Sequence, residues 1–423
     1  MDSRLYWIWL QQAIGPGSFL ADALLRNFGD AAAVYHADYD EVLQLVPEAV
    51  KAVRLQQSAL VEAKEILDKT VSCGYWMMTP EDALFPPLLR VIQGIPLVLY
   101  GRGEMPDLNS FPAVTVVGTR EPSDYGKQAT ALISGGLAAG GAIVVSGGAR
   151  GGDAIAHSMA IEAGGITVAI QACGIDVNYP AENAHLRDLI CRNGAVITEF
   201  ASGVSAHRHH FSIRNRLMSG ISLATVVTES PSVSGTLITA HHAFEQGRDV
   251  FAVAGDMLTG RSAGTDSLIG EGARLIRGAE EIIAEYEPWY RGILDPDAAF
   301  VRGDERFKIL DHEIPPPRGR GKRRAPPVLL HPEPDNGKKL RVADSTVQTV
   351  SFEAKPVKQD IPCPDSATDN AKAAYAVLTA EPLPVDVIIA AAGLDAKSAL
   401  VALTELEMLG CACRHPGQAY CRA

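Results

Sequence analysis

Short apolar runs alternate with amphipathic stretches between about residues 110 and 290. Six apolar runs are rich in β-branched residues and have the length of buried strands: Ala113–Gly118, Ala142–Gly148, Ile166–Ile170, Ala195–Glu199, Ala224–Thr228 and Asp249–Gly255. Patterns of helical period lie between them, at Tyr125–Ala139, Asp153–Ala163, Glu182–Arg192, Asn215–Ile221 and Thr236–Gln246. This alternation predicts right-handed βαβ crossovers and an α/β, doubly wound, mostly parallel sheet. Ligands of such sheets bind beyond the carboxyl ends of the strands.

The segments before and after this region follow other patterns. Residues 1–80 carry apolar side chains at helical spacing, so we expect a small helical domain, followed by the α/β domain at 81–295. Residues 296–369 are rich in proline and charge, and the basic run Arg318–Arg324 repels itself, which predicts a flexible linker. Residues 370–423 then form a separate C-terminal unit.

A glycine-rich turn, Gly15-Pro16-Gly17, separates the first two predicted helices. Helix-hairpin-helix modules use such turns to approach a phosphate backbone with exposed N–H groups. Few cations stand near this turn, which favours the alternative of an ordinary helix connection.

Composition narrows the class of protein. The 423 residues are 47% hydrophobic and 21% charged, enough for a large core and, at about 150 residues per domain, roughly three domains. A net charge of −12 excludes a globally basic nucleic-acid coat, so a polyanion would need a local positive patch. We expect no membrane span, no secretory signal and, from seven scattered cysteines, a reducing cytoplasmic location.

Two loops at predicted strand ends have the composition of anion sites. Gly118-Thr119-Arg120 follows the first strand, and Ser146–His157 follows the second with Gly147, Gly148 and the cation Arg150. A glycine-rich turn that enters a helix N-terminus presents N–H groups to phosphate. Such glycines serve tight strand–helix packing equally well, so both interpretations stay open at this point.

The segment after the fourth strand is strongly cationic. No acidic residue occurs between Glu199 and Glu229, whereas the interval contains Arg208, Phe211, Arg214 and Arg216 together with three histidines. Arginines that neutralise phosphates beside a ring that stacks a base are what single-stranded nucleic acid requires. The alternative is that the ring belongs to the core and the arginines pair with carboxylates across the sheet.

Three other groups of residues are candidate binding or metal sites. Ser234-Gly235-Thr236 places hydroxyls at a predicted helix N-terminus, where they could line the same pocket. The adjacent His241 and His242 point to different faces of one helix and make a poor metal pair. A zinc cluster near the C-terminus is disfavoured by its spacing, which strand alternation explains as well, at Cys411, Cys413, His415 and Cys421. We expect no metal and no cofactor.

Six ordered motifs resemble the DNA processing protein A family, DprA or Smf. They are VGTR from Val117, SGGARGGDAIAH from Ser146, CGIDVNYP from Cys173, FSIRNRLMSGIS from Phe211, SGTLITAHHA from Ser234 and GTDSLIGEGA from Gly264. The N-terminus is similar to that family's SAM-like or helix-hairpin-helix module, and residues 370–423 to its optional winged helix. The sequence departs from the family pattern at Ala254-Gly255, where Pro-Gly is usual, and at Asp266, where Asn is usual.

The resemblance implies a Rossmann-like domain that binds single-stranded DNA without strong sequence preference. It also implies a homodimer that helps to load a RecA-type recombinase during natural transformation and recombination, and a role as a binding protein rather than an enzyme. Arg120 matches the family's G-[ST]-R arginine, Arg208 falls where a basic residue precedes F-x-x-RNR, and Phe211 begins that motif. With the loop and helix-start positions added, the predicted DNA contacts are Arg120, Gly147, Gly148, Arg150, Arg208, Phe211, Arg214, Asn215, Arg216, Ser234 and Thr236.

The serious alternative is an enzyme that resembles the nucleoside-monophosphate phosphoribohydrolases of the LOG type. Those carry P-G-G-x-G-T-x-x-E, but Thr239 occupies the place of the glutamate here and cannot supply a carboxylate. An NAD dehydrogenase is disfavoured because G-x-G-x-x-G is absent after the first strand. A scaffold that binds no nucleic acid would leave the acid-free cationic segment unexplained.

The predicted winged helix offers little for duplex DNA. Its helices are expected at Ala371–Thr379, Val385–Ala391 and Asp395–Met408. The third helix would enter the major groove, yet it carries Lys397 against Asp395, Glu405 and Glu407. We therefore hypothesise that this unit contacts protein, or DNA only weakly.

Overall fold

The structure is a computed structural model that describes residues 2–46, 60–255, 258–300, 367–379, 382–409, 411–415 and 419–422. The chain forms two compact units, divided between His331 and Pro332, and each is described by itself. In these described ranges no helix has both the length and the apolar character that crossing a bilayer requires.

Helices form the first part of the chain, at α1 (Arg4–Ile14), α2 (Leu20–Phe28), α3 (Ala31–His36), α4 (Tyr39–Leu45) and α5 (Leu60–Ser72). Helix α1 is apolar on nearly all sides and is correspondingly buried. Its side chains share one core with Tyr100 and Val196 of the sheet. Gln11 of α1 adds hydrogen bonds between this helix and the ends of two strands. Its side-chain Nε2 donates to the carbonyl of Glu199 at 2.7 Å, and its Oε1 accepts from the N–H of Val98 at 2.8 Å. The helical segment and the sheet therefore share one core.

The central sheet contains β1 (Trp76–Met78), β2 (Leu99–Gly103), β3 (Ala113–Val117), β4 (Ile143–Ser146), β5 (Thr167–Ile170), β6 (Gly194–Thr198), β7 (Ala224–Val227), β8 (Asp249–Val253) and β9 (Arg274–Ile276). Its order is β1-β2-β6-β5-β4-β3-β7-β8-β9, and strands β3 to β9 pair in parallel. Strand β2 pairs antiparallel with both β1 and β6. The six predicted strands and the doubly wound, mostly parallel fold are confirmed.

Helices on both faces of the sheet are α6 (Asp124–Ala139), α7 (Gly152–Glu162), α8 (Ala184–Arg192), α9 (Arg208–Ile221), α10 (Gly235–Glu245), α11 (Ala263–Gly270), α12 (Ala279–Tyr286) and α13 (Pro296–Ala299), with single 3₁₀ turns at Pro87–Arg90 and Ala181–Asn183. Helix α9 begins at Arg208, seven residues before the predicted start at Asn215. Residues 208–214 of the cationic segment, which precede the predicted helix, are therefore the first half of a helix.

Two elements pack with the α/β domain although they lie outside its predicted limits of residues 81 and 295. Strand β1 belongs to the sheet although it lies inside the segment 1–80 that was expected to be helical. Helix α13 lies inside the expected linker 296–369, and its Ala299 packs against α6 where Gly136 and Gly140 leave room. Residues 301–366, which include Arg318–Arg324, lie outside the described residues.

The second unit contains α14 (Asp369–Val377), α15 (Val385–Ala392) and α16 (Ala396–Met408), with strands β10 (Leu383–Pro384), β11 (Ala412–His415) and β12 (Ala419–Arg422). The three predicted helices are confirmed within two residues at each end. Strand β12 pairs antiparallel with β10 and with β11, and the helices pack around buried Ile388, Leu403 and Leu406. This is the topology of a winged helix.

Candidate nucleic-acid interface

The carboxyl ends of parallel strands β3 to β8 meet at one edge of the sheet. The loops that carry Arg120 and Arg150 leave β3 and β4 at this edge, and helix α9 follows β6 there. Arg120, Arg150 and Arg208 are all exposed. Ligands of doubly wound sheets bind at this edge, so the structure brings the main predicted cations to the expected place.

An aromatic ring in contact with two arginines lies at this edge of the sheet. The guanidinium carbon of Arg120 is 5.2 Å from the centroid of the half-buried Phe211 ring, and that of Arg214 is 5.9 Å from it. Phe211 and Arg214 are three residues apart on α9, which places them on one helix face. Both separations lie within cation–π range, so the Phe211 ring is in contact with two guanidinium groups.

Tyr179 adds a second ring that sequence reasoning missed. Its ring centroid is 5.7 Å from that of Phe211, at an interplanar angle of 60°, and the residue is 40% exposed. Tyr179 belongs to the motif CGIDVNYP after β5, which was used only to identify the family. An aromatic residue in a loop at the ligand-binding edge was the available signal. We call Arg120, Tyr179 and Phe211 the stacking surface.

Arg214 lies beneath this surface and not on it. The residue is 4% exposed, and its Nη1 donates to the carbonyl of Gly147 at 2.6 Å and to that of Ile170. Burial lowers the pKa of Arg214 and raises that of Asp153, while the opposite charges of the two groups oppose both shifts. A Cβ on Gly147 would lie 2.2 Å from Nη1, so this glycine makes room for the guanidinium.

Arg216 is not at the interface, which corrects the prediction that it contacts phosphate. Its Nη2 lies 2.6 Å from both carboxylate oxygens of Glu199, and both side chains are buried. The Gly17 N–H also donates to this carboxylate, and burial raises the pKa of Glu199 against the effect of Arg216. The turn at Gly15-Pro16-Gly17 therefore donates to a buried carboxylate of the protein itself. This favours its interpretation as an ordinary helix connection.

The loop after β4 is held in place by hydrogen bonds to side chains around it. Gly148 has φ of 66°, a conformation that favours glycine. The amide of Asn183 donates to the carbonyls of Gly148 at 3.0 Å and Ala149 at 3.1 Å, and Asp153 accepts from the Ala149 N–H at 3.2 Å. These bonds fix the loop beside the stacking surface.

Three predicted contacts bond instead to the protein around them. The Ser234 hydroxyl caps α10 by accepting from the Thr236 N–H at 3.2 Å, and Thr236 donates to the carbonyl of Gly118 at 3.2 Å. Asn215 accepts from Arg214 Nε at 3.1 Å and donates to the carbonyl of Gly235 at 3.2 Å. These hydrogen bonds connect the N-terminus of α10 to α9 and to the loop after β3.

The remaining candidate groups do not form a second site. His241 and His242 lie 3.3 Å and 3.1 Å from two separate carboxylates. Cys413 and Cys421 are opposite each other in the register of the β11–β12 pair. Within the described part of the chain, no three histidine, cysteine or acidic side chains are grouped so that they could hold a metal ion.

Fold and site thus define a Rossmann-like protein with a cationic stacking surface and a C-terminal winged helix. The model of the DNA recombination-mediator protein A family matches residues 76–287, and that of the DprA winged helix domain matches residues 359–418. The chain belongs to this DprA family.

Two relatives and one solved structure are similar to this chain over about half of its length or more. Protein Smf of Synechocystis sp. is 29% identical over 427 residues, covering 100% of this chain and 99% of that protein. The DNA processing protein DprA of Streptococcus pneumoniae is 39% identical over 206 residues, covering 49% of this chain and 72% of that protein. The X-ray structure of DprA from Streptococcus pneumoniae matches with a TM-score of 0.58 and 30% identity, covering 66% of this chain and 97% of that one.

Proposed function

We propose that this DNA-processing family member binds single-stranded DNA at the carboxyl edge of its sheet, with little sequence preference. The observation that carries the proposal is the stacking surface, in which Arg120 lies over the Phe211 ring and the Tyr179 ring lies beside it. A base on such a surface contributes about 1–3 kcal/mol, whichever base it is. In a duplex the faces of the bases are already stacked, so a single strand is favoured.

The electrostatics of the edge support an anionic ligand. Three carboxylates lie under the edge, but each is buried and bonded internally: Glu199 to Arg216, Glu229 to Ser123, and Asp153 to the Ala149 N–H. Among the described residues, the exposed cations Arg120, Arg150 and Arg208 form no ion pair, although the exposed Glu121 directly follows Arg120. A local positive patch is thereby possible on a chain whose net charge is −12.

The proposed contacts divide into two groups. Arg120, Arg150 and Arg208 neutralise phosphates, Phe211 and Tyr179 stack bases, and the N–H groups of Gly147 and Gly148 approach the strand. Arg214, Asn215, Ser234 and Thr236 hold these groups in place. Because none of the contacts is directed at a base edge, binding depends on the backbone and on ring faces.

A binding protein is favoured over a phosphoribohydrolase. Thr239, which stands where that enzyme class has its glutamate, is 1% exposed and lies inside α10. A threonine hydroxyl at this place cannot act as the carboxylate base of that reaction. We also propose, from the family resemblance, that the chain acts as a homodimer that gives avidity on a long strand and delivers it to a RecA-type recombinase.

Fluorescence anisotropy with a labelled oligodeoxythymidine and with a duplex of equal length, at several salt concentrations, tests the proposal. We expect tighter binding of the single strand and a linear fall of log affinity with log salt. Equal affinity for both ligands, or binding of neither at low salt, would refute it.

A further inference from the structure

Three imidazoles pack together at the N-terminus of helix α9, next to the stacking surface; His207 is the N-cap residue and His209 and His210 lie in the first turn. The His209 and His210 ring centroids are 4.3 Å apart, and those of His207 and His210 are 5.2 Å apart. His207 and His209 are exposed, with nearly parallel rings 5.9 Å apart. His210 is 8% exposed and stacks on Phe200 at 4.2 Å, so it forms the base of the group. We call these three residues the imidazole cluster.

The surroundings of this cluster carry little negative charge. Arg208 lies within it, and the sequence has no acidic residue from 200 to 228. The loop packed below contributes Asp176, which accepts from the Gly203 N–H at 2.7 Å and lies 3.7 Å from Lys69 Nζ on helix α5, so its charge is already balanced. The N-terminus of the 14-residue helix α9 adds partial positive charge.

One buried polar atom in the cluster has no protein partner. The Nδ1 atom of His210 is buried without a hydrogen bond. Burial lowers the pKa of His210, and His209 and then His207 lower it further, so this ring is neutral at neutral pH. The exposed rings of His207 and His209 are the members of the cluster that a ligand can reach from solvent.

We propose that His207 and His209, with Arg208 between them, form a second phosphate subsite for the same DNA strand, and that occupation of this subsite is coupled to proton uptake. The proposal rests on the proposed function, because the phosphate is one next to the nucleotide on the stacking surface. It adds two residues that the family motif does not include.

The sign of the pH dependence follows from the chemistry of imidazole. An exposed imidazole gains a proton as the pH falls through about 6.5. A phosphate next to it favours the charged form, so binding of the strand and binding of the proton assist each other. Affinity is therefore higher at pH 6 than at pH 8, by on the order of tenfold, and the salt slope steepens by about 0.7 for each imidazole that becomes charged.

The test measures anisotropy of labelled oligodeoxythymidine at pH 6, 7 and 8, with a salt series at each pH. The test variant is His207→Gln/His209→Gln, which keeps polar side chains at two exposed positions. The matched control is His241→Gln/His242→Gln, which removes two imidazoles from the later part of α10, each beside its own carboxylate. Circular dichroism checks that both variants are folded.

We expect wild type and control to bind more tightly at pH 6, with a steeper salt slope, and the test variant to lose this pH dependence. If the folded test variant keeps the full pH dependence, or if wild type has none while binding DNA at pH 8, the inference is wrong and the proposed function stands. If wild type binds no single strand at any pH, the proposed function itself fails.

Discussion

The buried ion pair between Arg216 and Glu199 stabilises the folded chain, and loss of the cation should lower the free energy of unfolding. Glu199 is 1% exposed, and its carboxylate is held by two contacts of 2.6 Å from Arg216 and by the Gly17 N–H. The change Arg216→Met leaves this buried carboxylate without its cation. Breaking a buried ion pair from one side costs about 3–5 kcal/mol. For a urea m-value near 3 kcal/mol per molar, the unfolding midpoint should fall by roughly 1–1.7 M.

Urea unfolding of the full chain, followed by circular dichroism, measures this loss. The control Arg277→Met removes an exposed arginine with one surface ion pair and should change stability by less than about 1 kcal/mol. The double variant Arg216→Met/Glu199→Leu removes both charges and should recover most of the loss. An Arg216→Met variant with unchanged unfolding but a flatter salt slope for DNA would show that Arg216 contacts phosphate after all.

Three further predictions concern the site and its support. Phe211→Ala should weaken single-strand binding by about 1–3 kcal/mol at an unchanged salt slope, and Tyr179→Ala should act in the same direction; anisotropy that shows no loss for either would remove that ring from the stacking surface. Gly147→Ala should displace Arg214, since its Cβ would lie 2.2 Å from Nη1, and lower the free energy of unfolding by an amount typical of overpacking, about 1–3 kcal/mol; an unshifted urea midpoint would contradict this. Burial lowers the pKa of His157 to about 3, below its unfolded value, so its contribution to stability is present above pH 6.5 and lost on acidification. Between pH 6.5 and 5 the fall should approach 1.4 kcal/mol per pH unit for this group. His157→Gln should lack this contribution, while His210, whose pKa burial also lowers, still contributes to the fall; an equal fall in both proteins would exclude His157 as a source.

The parallel part of the fold was predictable because each strand there is a run of apolar, mostly β-branched residues. Strands β1 and β2 gave no such signal. Strand β2 contains Gly101 and Gly103, which leave space for the Trp76 ring and for the backbone at Gly194. Strand β9 has only three residues. Short or glycine-containing strands at the sheet margins are specified by pairing partners that a local pattern does not show.

The chemistry of the site was predictable at the level of residue types, and the roles of individual arginines were not. Arg214 and Arg216 occur in one motif, but each points to a different buried partner. Glu199 served only as the boundary of an acid-free interval, yet it is the group that binds Arg216. Whether a cation faces solvent or a buried carboxylate depends on contacts between residues distant in sequence. The start of α9 was missed because its first half lacks apolar residues at helical spacing.

Whether Arg120 neutralises a phosphate of the bound strand is decided by the salt dependence of single-strand binding by Arg120→Ala. The account predicts weaker binding and a slope of log affinity against log salt that is smaller by about 0.7 than in wild type. The matched control is the exposed Arg192. This residue ends helix α8, which leads into β6, so it lies at the opposite edge of the sheet. Arg192→Ala should retain the wild-type slope. An Arg120→Ala protein with wild-type slope and affinity would contradict the account.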